Sequence, residues 1–227
     1  MASELLHQRR VAPSILSADF ARLGSQVDEV ISAGARVVHV DVMDGHFVPP
    51  MTFGALIVSA IADRVHSAGA MIDVHLMIER PERQVREFIR AGADNITVHF
   101  ESTPHVHYAL AAIRDGGCSA CAAICPATPA DVLCEVASDT LDMALCMSVD
   151  PGWGAQRLIP SSLRKLERMR RSLPDQVALE VDGGIHEQTV GSCVRAGANV
   201  LVTGSGVFHS DDPAAAYQAI VAAAEAE

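Results

Sequence analysis

The sequence predicts an α/β protein that folds as a closed (β/α)8 TIM barrel. Its 227 residues suit one such barrel, since barrels of this kind routinely fill that length as a single domain. Four helix-like stretches end in Ala-Gly-Ala, at Gly34, Gly69, Gly92 and Gly197, and each leads into a β-branched run. A glycine just past a helix end relieves the strain of a left-handed C-cap. Helices and strands alternating at this spacing indicate a parallel sheet.

Extending this alternation along the chain gives eight strands and eight helices. The strands are expected near residues 10–16, 36–42, 71–76, 95–100, 119–124, 142–149, 176–182 and 199–203. The helices are expected near residues 19–33, 55–66, 81–91, 105–115, 129–138, 160–172, 187–196 and 213–225. Asp19 is the expected N-cap of the first helix, and Pro81 stands in the first turn of the third. We expect a single domain over residues 1–227, with residues 1–9 as an N-terminal extension.

The alternative to the barrel is an open, doubly wound parallel sheet. Such a sheet usually has fewer strands and carries the motif G-x-G-x-x-G after its first strand. The corresponding segment here, Ser14–Asp19, contains no glycine. The barrel is therefore the preferred interpretation.

The composition excludes several classes of protein. The formal charge of −11 at pH 7 argues against a nucleic-acid surface, which needs clustered Lys and Arg. It allows an anionic small-molecule substrate, because backbone N–H groups bind phosphate without side-chain charge. No apolar run approaches the roughly 20 residues of a membrane span, and residues 1–10 lack the apolar core of a secretory signal. We expect a cytoplasmic protein without a membrane partner.

Six cysteines are too few for a disulfide scaffold in a chain of this length. Cys118, Cys121 and Cys125 form a C-x-x-C-x-x-x-C run, which could indicate a metal cluster. The sequence shows neither a second pair nor a nearby histidine that would complete such a site. The preferred interpretation is that these cysteines lie along or beside a buried strand.

Polar side chains gather at the carboxyl ends of the predicted strands, the face where barrel enzymes keep their sites. His39 and Asp41 are two residues apart on the second strand, so their side chains share one face. His75 ends the third strand and Asp182 ends the seventh. Nitrogen and carboxylate ligands in this mixture suit Zn, Fe, Mn or Co better than Mg or Ca. The four residues are therefore a candidate metal site.

His99 and Glu101 repeat the His39–Asp41 spacing at the end of the fourth strand. We expect them to support the candidate metal site or to lie at its rim. His46, in the loop after the second strand, receives no role.

Glycine-rich loops follow the last three strands. Glycine lets the backbone approach a ligand closely, and the loops after strands 7 and 8 are the recurring phosphate site of this fold. The glycines are Gly152, Gly154, Gly183, Gly184, Gly204 and Gly206. Met43, Met77 and Met147 follow three strands beside the polar residues, where they are expected to form an apolar lid that keeps water from a reacting centre.

Five blocks occur in order between about Val11 and Phe208, and together they resemble one known family. The blocks are Pro13–Asp19, His39–Pro49, Asp73–Met77, Met147–Gly152 and Glu180–Ile185. They are similar to ribulose-phosphate 3-epimerases, whose barrels are of the ribulose-phosphate-binding type. The resemblance implies interconversion of D-ribulose 5-phosphate and D-xylulose 5-phosphate by a homo-oligomer without a nucleotide cofactor.

The resemblance also implies roles for individual residues. One divalent metal ion per subunit would be held by His39, Asp41, His75 and Asp182, and Asp41 and Asp182 would be the two acid/base groups. Substrate would be bound by Ser14, His75, Asp182, Gly152, Trp153, Gly154, Ala155, Gly183, Gly184, Gly204 and Ser205.

The chemistry supports the two acid/base roles independently. Inverting a carbon next to a ketone requires that a proton leave one face and return to the other, so two groups must flank the substrate. In a ring of eight strands, the ends of the second and seventh face each other across much of the mouth. A metal ion would stabilise the enediolate as a Lewis acid and keep an aspartate ionised near neutral pH.

Four positions depart from the family's usual pattern. Cys125 and Asp150 stand where the family usually has asparagine, Trp153 stands where it usually has phenylalanine, and Ala155 stands where it usually has glycine. An aspartate at position 150 also occurs in hexulose-phosphate epimerases. A 3-epimerase of a six-carbon ketose phosphate such as allulose 6-phosphate is therefore the alternative, with Trp153 and Cys125 as candidate determinants of substrate size.

A non-catalytic, phosphosugar-binding barrel is a further alternative from a different class. Such a protein would be expected to lack one of the acid/base or metal-ligating residues. The complete set is present here, which favours the enzyme.

Overall fold

The computed structural model describes residues 2–137 and 140–227. Within them, eight parallel strands alternate with helices, as in a (β/α)8 TIM barrel. The strands are β1 (Arg10–Pro13), β2 (Val37–Met43), β3 (Met71–Met77), β4 (Asn95–His99), β5 (Ser119–Ile124), β6 (Met143–Met147), β7 (Ala178–Asp182) and β8 (Val200–Thr203).

The α-helices cover the outside of the barrel, apart from short ones at its two ends. They are α1 (Ala2–His7), α2 (Leu23–Ser32), α3 (Ala55–Ser67), α4 (Val85–Ala91), α5 (Val106–Asp115), α6 (Pro160–Ser172), α7 (Val190–Arg195), α8 (Ser205–Phe208) and α9 (Pro213–Glu225). Shorter 3-10 helices span Ile15–Ser17, Phe20–Arg22, Pro81–Arg83, Phe100–Ser102 and Ala130–Glu135.

Neighbouring strands pair in sequence order from β2 to β8, and β8 pairs with β1. Beyond the end of β1, an isolated parallel bridge joins Ser14 to His39 of β2, so the ring is nearly closed. The register of β2 and β3 sets Asp41 directly beside His75. The polar ends of four strands, β1, β2, β3 and β7, are thereby brought to one mouth.

The barrel prediction is confirmed, and the strand boundaries agree to within three residues. The largest difference is at β1, which ends at Pro13 because Ile15–Ser17 forms a 3-10 turn, with the Ser14 side chain accepting a hydrogen bond from the Leu16 amide. Asp19 caps the 3-10 turn Phe20–Arg22, and the α-helix begins only at Leu23.

Three other helix predictions need correction. The helix expected over 129–138 is a 3-10 helix over Ala130–Glu135, and residue 138 lies outside the described residues. The helix expected over 81–91 divides into a 3-10 turn and α4, and the one expected over 187–196 begins at Val190. The short helix α8 was not predicted.

Two apolar layers stabilise the barrel. The larger one lies between the strands and the surrounding helices, and it includes Val40, Val74 and Ile96. The smaller one fills the barrel interior, where Leu6 of α1 packs with Val37 and Met143. The N-terminal extension therefore contributes a side chain to the core.

In the ranges that the structure describes, no helix is both long and apolar enough to cross a membrane.

Candidate active site

Two imidazoles and two carboxylates meet at the mouth of the barrel. The Asp41 Oδ1 atom lies 3.3 Å from His39 Nε2 and 3.0 Å from His75 Nδ1. His75 Nδ1 lies 3.6 Å from Asp182 Oδ2. One donor atom from each residue lies within 4.8 Å of the others, a spacing that could hold a metal ion. The structure thus brings together the four residues that the sequence indicated.

Two further contacts fix the orientation of the cluster. Ser14 Oγ donates a hydrogen bond of 2.6 Å to Asp41 Oδ2. His39 Nδ1 lies 2.6 Å from Asp73 Oδ2, so its other ring nitrogen, Nε2, faces the site. A carboxylate behind a ligating histidine fixes the tautomer and the angle of the ring. Asp73 was missed as a supporting residue, although its spacing of two from His75 places both on one face of β3.

Mutual attraction keeps the buried cluster charged. Burial disfavours the carboxylate of Asp41, but His39 and His75 outweigh this effect and lower the pKa of Asp41. Burial likewise disfavours the His75 imidazolium, but Asp182 and Asp41 outweigh it and raise the pKa of His75 to about 9. Asp41 is therefore an anion at neutral pH, able to bind a cation.

A second buried carboxyl group lies deeper in the barrel, below His39. Glu180 Oε1 is 3.6 Å from His39 Nδ1, and the residue is fully buried. Burial and the negative charge of Asp73 raise the pKa of Glu180 well above its usual range. Glu180 therefore holds its proton more tightly than an ordinary carboxyl group, while the lowered pKa of Asp73 favours the charged form that faces His39. Its spacing of two from Asp182 is the sequence signal for its place on the inner face of β7.

The glycine-rich loops line the same cavity as Asp41 and Asp182. At Gly184 a Cβ atom would lie 2.3 Å from the Leu158 amide nitrogen, and at Gly204 it would lie 2.7 Å from Ser17 Oγ. These glycines allow the loops to pack closely, and they leave the cavity wall as backbone. Gly206, by contrast, does not line the cavity. It packs behind the lining residues Thr203 and Ile185.

The remaining predicted residues separate into those that line the cavity and those that do not. Met43, Met77 and Met147 line it from the ends of β2, β3 and β6 and are buried. Trp153 lines it and is 56% exposed, so its ring lies at the rim. The lining also includes the residues of the predicted phosphate loops except Gly206, namely Gly152, Gly154, Ala155, Gly183, Gly184, Gly204 and Ser205. Ser17 and Thr203 line it as well, and neither was predicted.

Cys125 does not line this cavity in the part of the chain that is described. It follows β5 and lies against His99, with 3.5 Å between its Sγ atom and His99 Nδ1. The expectation that no histidine lies near the cysteine run is therefore wrong, because the fold supplies His99 from the neighbouring strand. Cys121 is buried on β5, as expected, and Cys118 is buried just before that strand.

His99 and Glu101 stand behind His75. His75 Nε2 and His99 Nε2 are 2.9 Å apart, and His99 Nδ1 lies 3.3 Å from Glu101 Oε2. Burial lowers the pKa of His99 to about 4, so its imidazole is neutral. These contacts place the pair in a supporting position next to the cluster.

Comparison with known proteins supports the assignment that this geometry indicates. The model of the ribulose-phosphate 3-epimerase family matches residues 10–208. The chain is 44% identical over 207 residues to the ribulose-phosphate 3-epimerase of Bacillus subtilis, with coverage of 89% of this chain and 94% of that protein. It is 44% identical over 210 residues to the Escherichia coli K12 enzyme of the same name, with coverage of 91% and 92%.

A solved structure shows the same fold at low sequence identity. Thiamine phosphate pyrophosphorylase from Pyrococcus furiosus superimposes with a TM-score of 0.71 at 15% identity, covering 98% of each chain. This likeness concerns the barrel alone. The family match and the two relatives, together with the cluster at the barrel mouth, show that the chain is a carbohydrate epimerase that belongs to the ribulose-phosphate 3-epimerase family.

Proposed function

We propose that the chain catalyses metal-dependent epimerisation at C3 of D-ribulose 5-phosphate, which yields D-xylulose 5-phosphate. One observation carries the proposal: Asp41 and Asp182, from β2 and β7, approach the same His75 ring and line one cavity with the glycine-rich loops. The relatives' names favour the five-carbon substrate over a six-carbon ketose phosphate.

Asp41 and Asp182 divide the proton transfer between them. One carboxylate removes the C3 proton and leaves an enediolate; the other group, in its protonated form, returns a proton to the opposite face. A positioned acid or base of this kind contributes typically 10²–10⁴-fold to a rate. The hydrogen bond from Ser14 Oγ holds one Asp41 oxygen, Oδ2, while Oδ1 faces the two histidines.

The donor set fits a divalent transition metal ion. Three of its four residues are almost fully buried and gather nitrogen and carboxylate atoms at ligand-like separations, and Zn, Fe, Mn and Co all accept such ligands. When bound, the ion supplies Lewis-acid stabilisation of the negative charge that develops on the substrate oxygens. The chain's own part is to hold His39 through Asp73 and Asp41 through Ser14.

The glycine-rich side of the cavity is the proposed phosphate site. Its wall is largely backbone at Gly183, Gly184 and Gly204, and backbone amides bind phosphate without cationic side chains. Met43, Met77 and Met147, which also line the cavity, offer an apolar surface that excludes water from the reacting carbon. A cytoplasmic location and a homo-oligomeric state stay predictions from the sequence.

The test is a coupled assay of ribulose 5-phosphate epimerisation with Asp41→Asn and Asp182→Asn. We expect kcat/KM to fall by at least about 10²-fold in each variant, because an amide cannot exchange the proton. Asp63→Asn, an exposed change on α3, is the matched control and should retain wild-type turnover. Near-wild-type activity in either active-site variant would overturn the assigned roles, and activity that survives a chelator would overturn the metal dependence.

A further inference from the structure

His99, Glu101 and Cys125 form a second group of metal-ligand atoms beside the proposed active site. β4 and β5 pair with His99 opposite Ala123, so Cys125, two residues farther on, reaches the level of Glu101. His99 Nδ1 lies 3.3 Å from Glu101 Oε2 and 3.5 Å from Cys125 Sγ. His99 is fully buried, while Cys125 is only half-buried, which leaves the group open to solvent on one side.

These separations are those of ligands around a common ion. Zinc binds nitrogen and oxygen at about 2.0–2.2 Å and sulfur at about 2.3 Å. Around a tetrahedral zinc ion, a nitrogen and an oxygen ligand are therefore about 3.3 Å apart, and a nitrogen and a sulfur ligand are about 3.5 Å apart. In the four-residue cluster the ligand-type pairs lie 3.0–3.6 Å apart, and the supporting pair His39–Asp73 is 2.6 Å apart.

The surrounding chain holds this group in place. Glu101 Oε1 accepts hydrogen bonds from the Cys125 amide, at 2.7 Å, and from the Thr128 hydroxyl, which directs the other oxygen, Oε2, towards His99. The buried Lys165 donates to the carbonyl oxygens of Cys125, Pro126 and Thr128 at 2.6–2.9 Å. The turn that carries Cys125 is therefore fixed from both sides.

We propose that His99 Nδ1, Glu101 Oε2 and Cys125 Sγ form a second divalent-cation site, distinct from the four-residue cluster and selective for zinc-like ions that accept a thiolate. Binding of the ion replaces the proton of the thiol, which passes to solvent. Burial and the Glu101 carboxylate raise the pKa of Cys125 to about 12, so the thiol keeps this proton until a cation displaces it. Asparagine, usual at this position in the family, would offer no thiolate, so the site would be particular to chains with this cysteine.

Occupancy of the second site opposes occupancy of the first. A neutral imidazole that binds metal through Nδ1 carries its proton on Nε2. His75 and His99 face each other through Nε2 atoms 2.9 Å apart, so two ions would set two N–H donors against each other. The second ion is therefore expected to bind only at a higher metal concentration than the first. If the proposed function is correct, its binding inhibits the enzyme.

A cobalt titration of the metal-free, full-length protein tests the proposal. Thiolate bound to Co²⁺ gives a near-ultraviolet charge-transfer band, and because the first cluster contains no sulfur, the band reports the second site alone. We expect the band only after the first equivalent of Co²⁺, its loss in Cys125→Ser, and at least tenfold weaker development in Glu101→Gln. Cys134→Ser changes an exposed cysteine on another segment and should leave the band unchanged.

The activity of the same samples separates this proposal from the proposed function. In Cys125→Ser the first equivalent of Co²⁺ should still support epimerisation. The Co²⁺ concentration that inhibits the enzyme should be at least tenfold higher in this variant than in the wild type. An active wild-type protein that binds one equivalent without the band would overturn the second site alone, as would a band that persists in Cys125→Ser. A protein that shows the band but no epimerisation at any Co²⁺ concentration, including the first equivalent before the band develops, would overturn the proposed function instead.

Discussion

Asp73 shows how a single side chain behind His39 orients the candidate site. It is fully buried, faces His39 Nδ1 at 2.6 Å, and accepts a hydrogen bond from the Asn95 amide. Its pKa is lowered, since the attraction of the His39 imidazolium outweighs the effect of burial. The charge of Asp73 thus fixes which ring nitrogen of His39 faces Asp41 and the candidate metal site.

Replacing the charged Asp73 with a neutral residue should lower the affinity for metal more than it lowers the free energy of unfolding. We expect Asp73→Asn to lower the affinity of the proposed four-residue site by about 10–100-fold, the usual effect of losing the carboxylate behind a ligating histidine. Metal titration of the metal-free protein measures it. The exposed change Asp115→Asn should leave the affinity unchanged, and an equal affinity in Asp73→Asn would contradict the supporting role.

Ala155 is held in the backbone conformation that favours glycine. Its φ is 58°, one of two positive values among the described non-glycine residues. We expect Ala155→Gly to raise the free energy of unfolding by roughly 0.5–1 kcal/mol, the relief of strain less the extra entropy of an unfolded glycine. Denaturant titration measures the change. Ala60→Gly, on an exposed helix position, should lower the same quantity by roughly 0.5–1 kcal/mol. Equal shifts in both variants would show that Ala155 is unstrained.

Among the secondary-structure elements, the strands were predicted well because each signal is local. Gly34, Gly69, Gly92 and Gly197 all have positive φ, so each ends a helix for the expected reason, and a β-branched run follows it. The 3-10 helix Ala130–Glu135 was mistaken for an α-helix. Its buried residues, Ala130 and Leu133, are three apart, and over so few residues a period of 3.0 cannot be told from 3.6.

The candidate site was predictable as far as strand ends determine it. His39, Asp41, His75 and Asp182 each follow from their place at the end of a strand in a barrel. The contact between Cys125 and His99 was not predictable, because it depends on the register of β4 and β5, which the sequence does not reveal.

The connection between α6 and the turn after β5 depends on Lys165. Its ammonium group donates to three backbone carbonyl oxygens and is almost fully buried. We expect Lys165→Met to lower the free energy of unfolding by roughly 2–4 kcal/mol, since hydrogen bonds from charged groups contribute about 1.5–3 kcal/mol each and their loss is partly offset by the apolar side chain. Arg168→Met, on the exposed face of the same helix, should stay within about 0.5 kcal/mol of wild type. A similarly small effect at Lys165 would contradict its role in holding the turn.

The molecule as a whole should show a stability that depends on pH and on bound metal. In the metal-free protein the pKa of His75 is about 9, against an ordinary histidine value of 6.5. Below pH 6.5 both the folded and unfolded states hold the proton, and the stabilisation is fully present. Between about pH 6.5 and 9 only the folded state holds it, so stability falls as pH rises. His39 acts in the same direction. Burial lowers its pKa, but Asp41 and Asp73 outweigh this effect and raise it.

Unfolding experiments on metal-free and metal-loaded protein between pH 6.5 and 9 measure this dependence. The decrease in the free energy of unfolding that is attributable to His75 is on the order of 3 kcal/mol, at about 1.4 kcal/mol for each unit of pKa difference. The metal-loaded protein should not show it, because a ligated nitrogen cannot take up a proton. Parallel profiles for the two forms would mean that the metal does not bind His75.

The seam between β1 and β2 has a further consequence. Seven of the eight strand junctions are ladders, whereas the described residues of this seam share one bridge, between Ser14 and His39. Ser14 also donates to Asp41 across the same gap. The least paired junction of the ring is therefore the one that holds Ser14, His39 and Asp41. A ligand that contacts both β1 and β2 would stabilise this junction and slow the exchange of its amide hydrogens. Hydrogen exchange along the junction would then report occupancy of the site directly. This is useful for an enzyme whose reaction produces no change of colour.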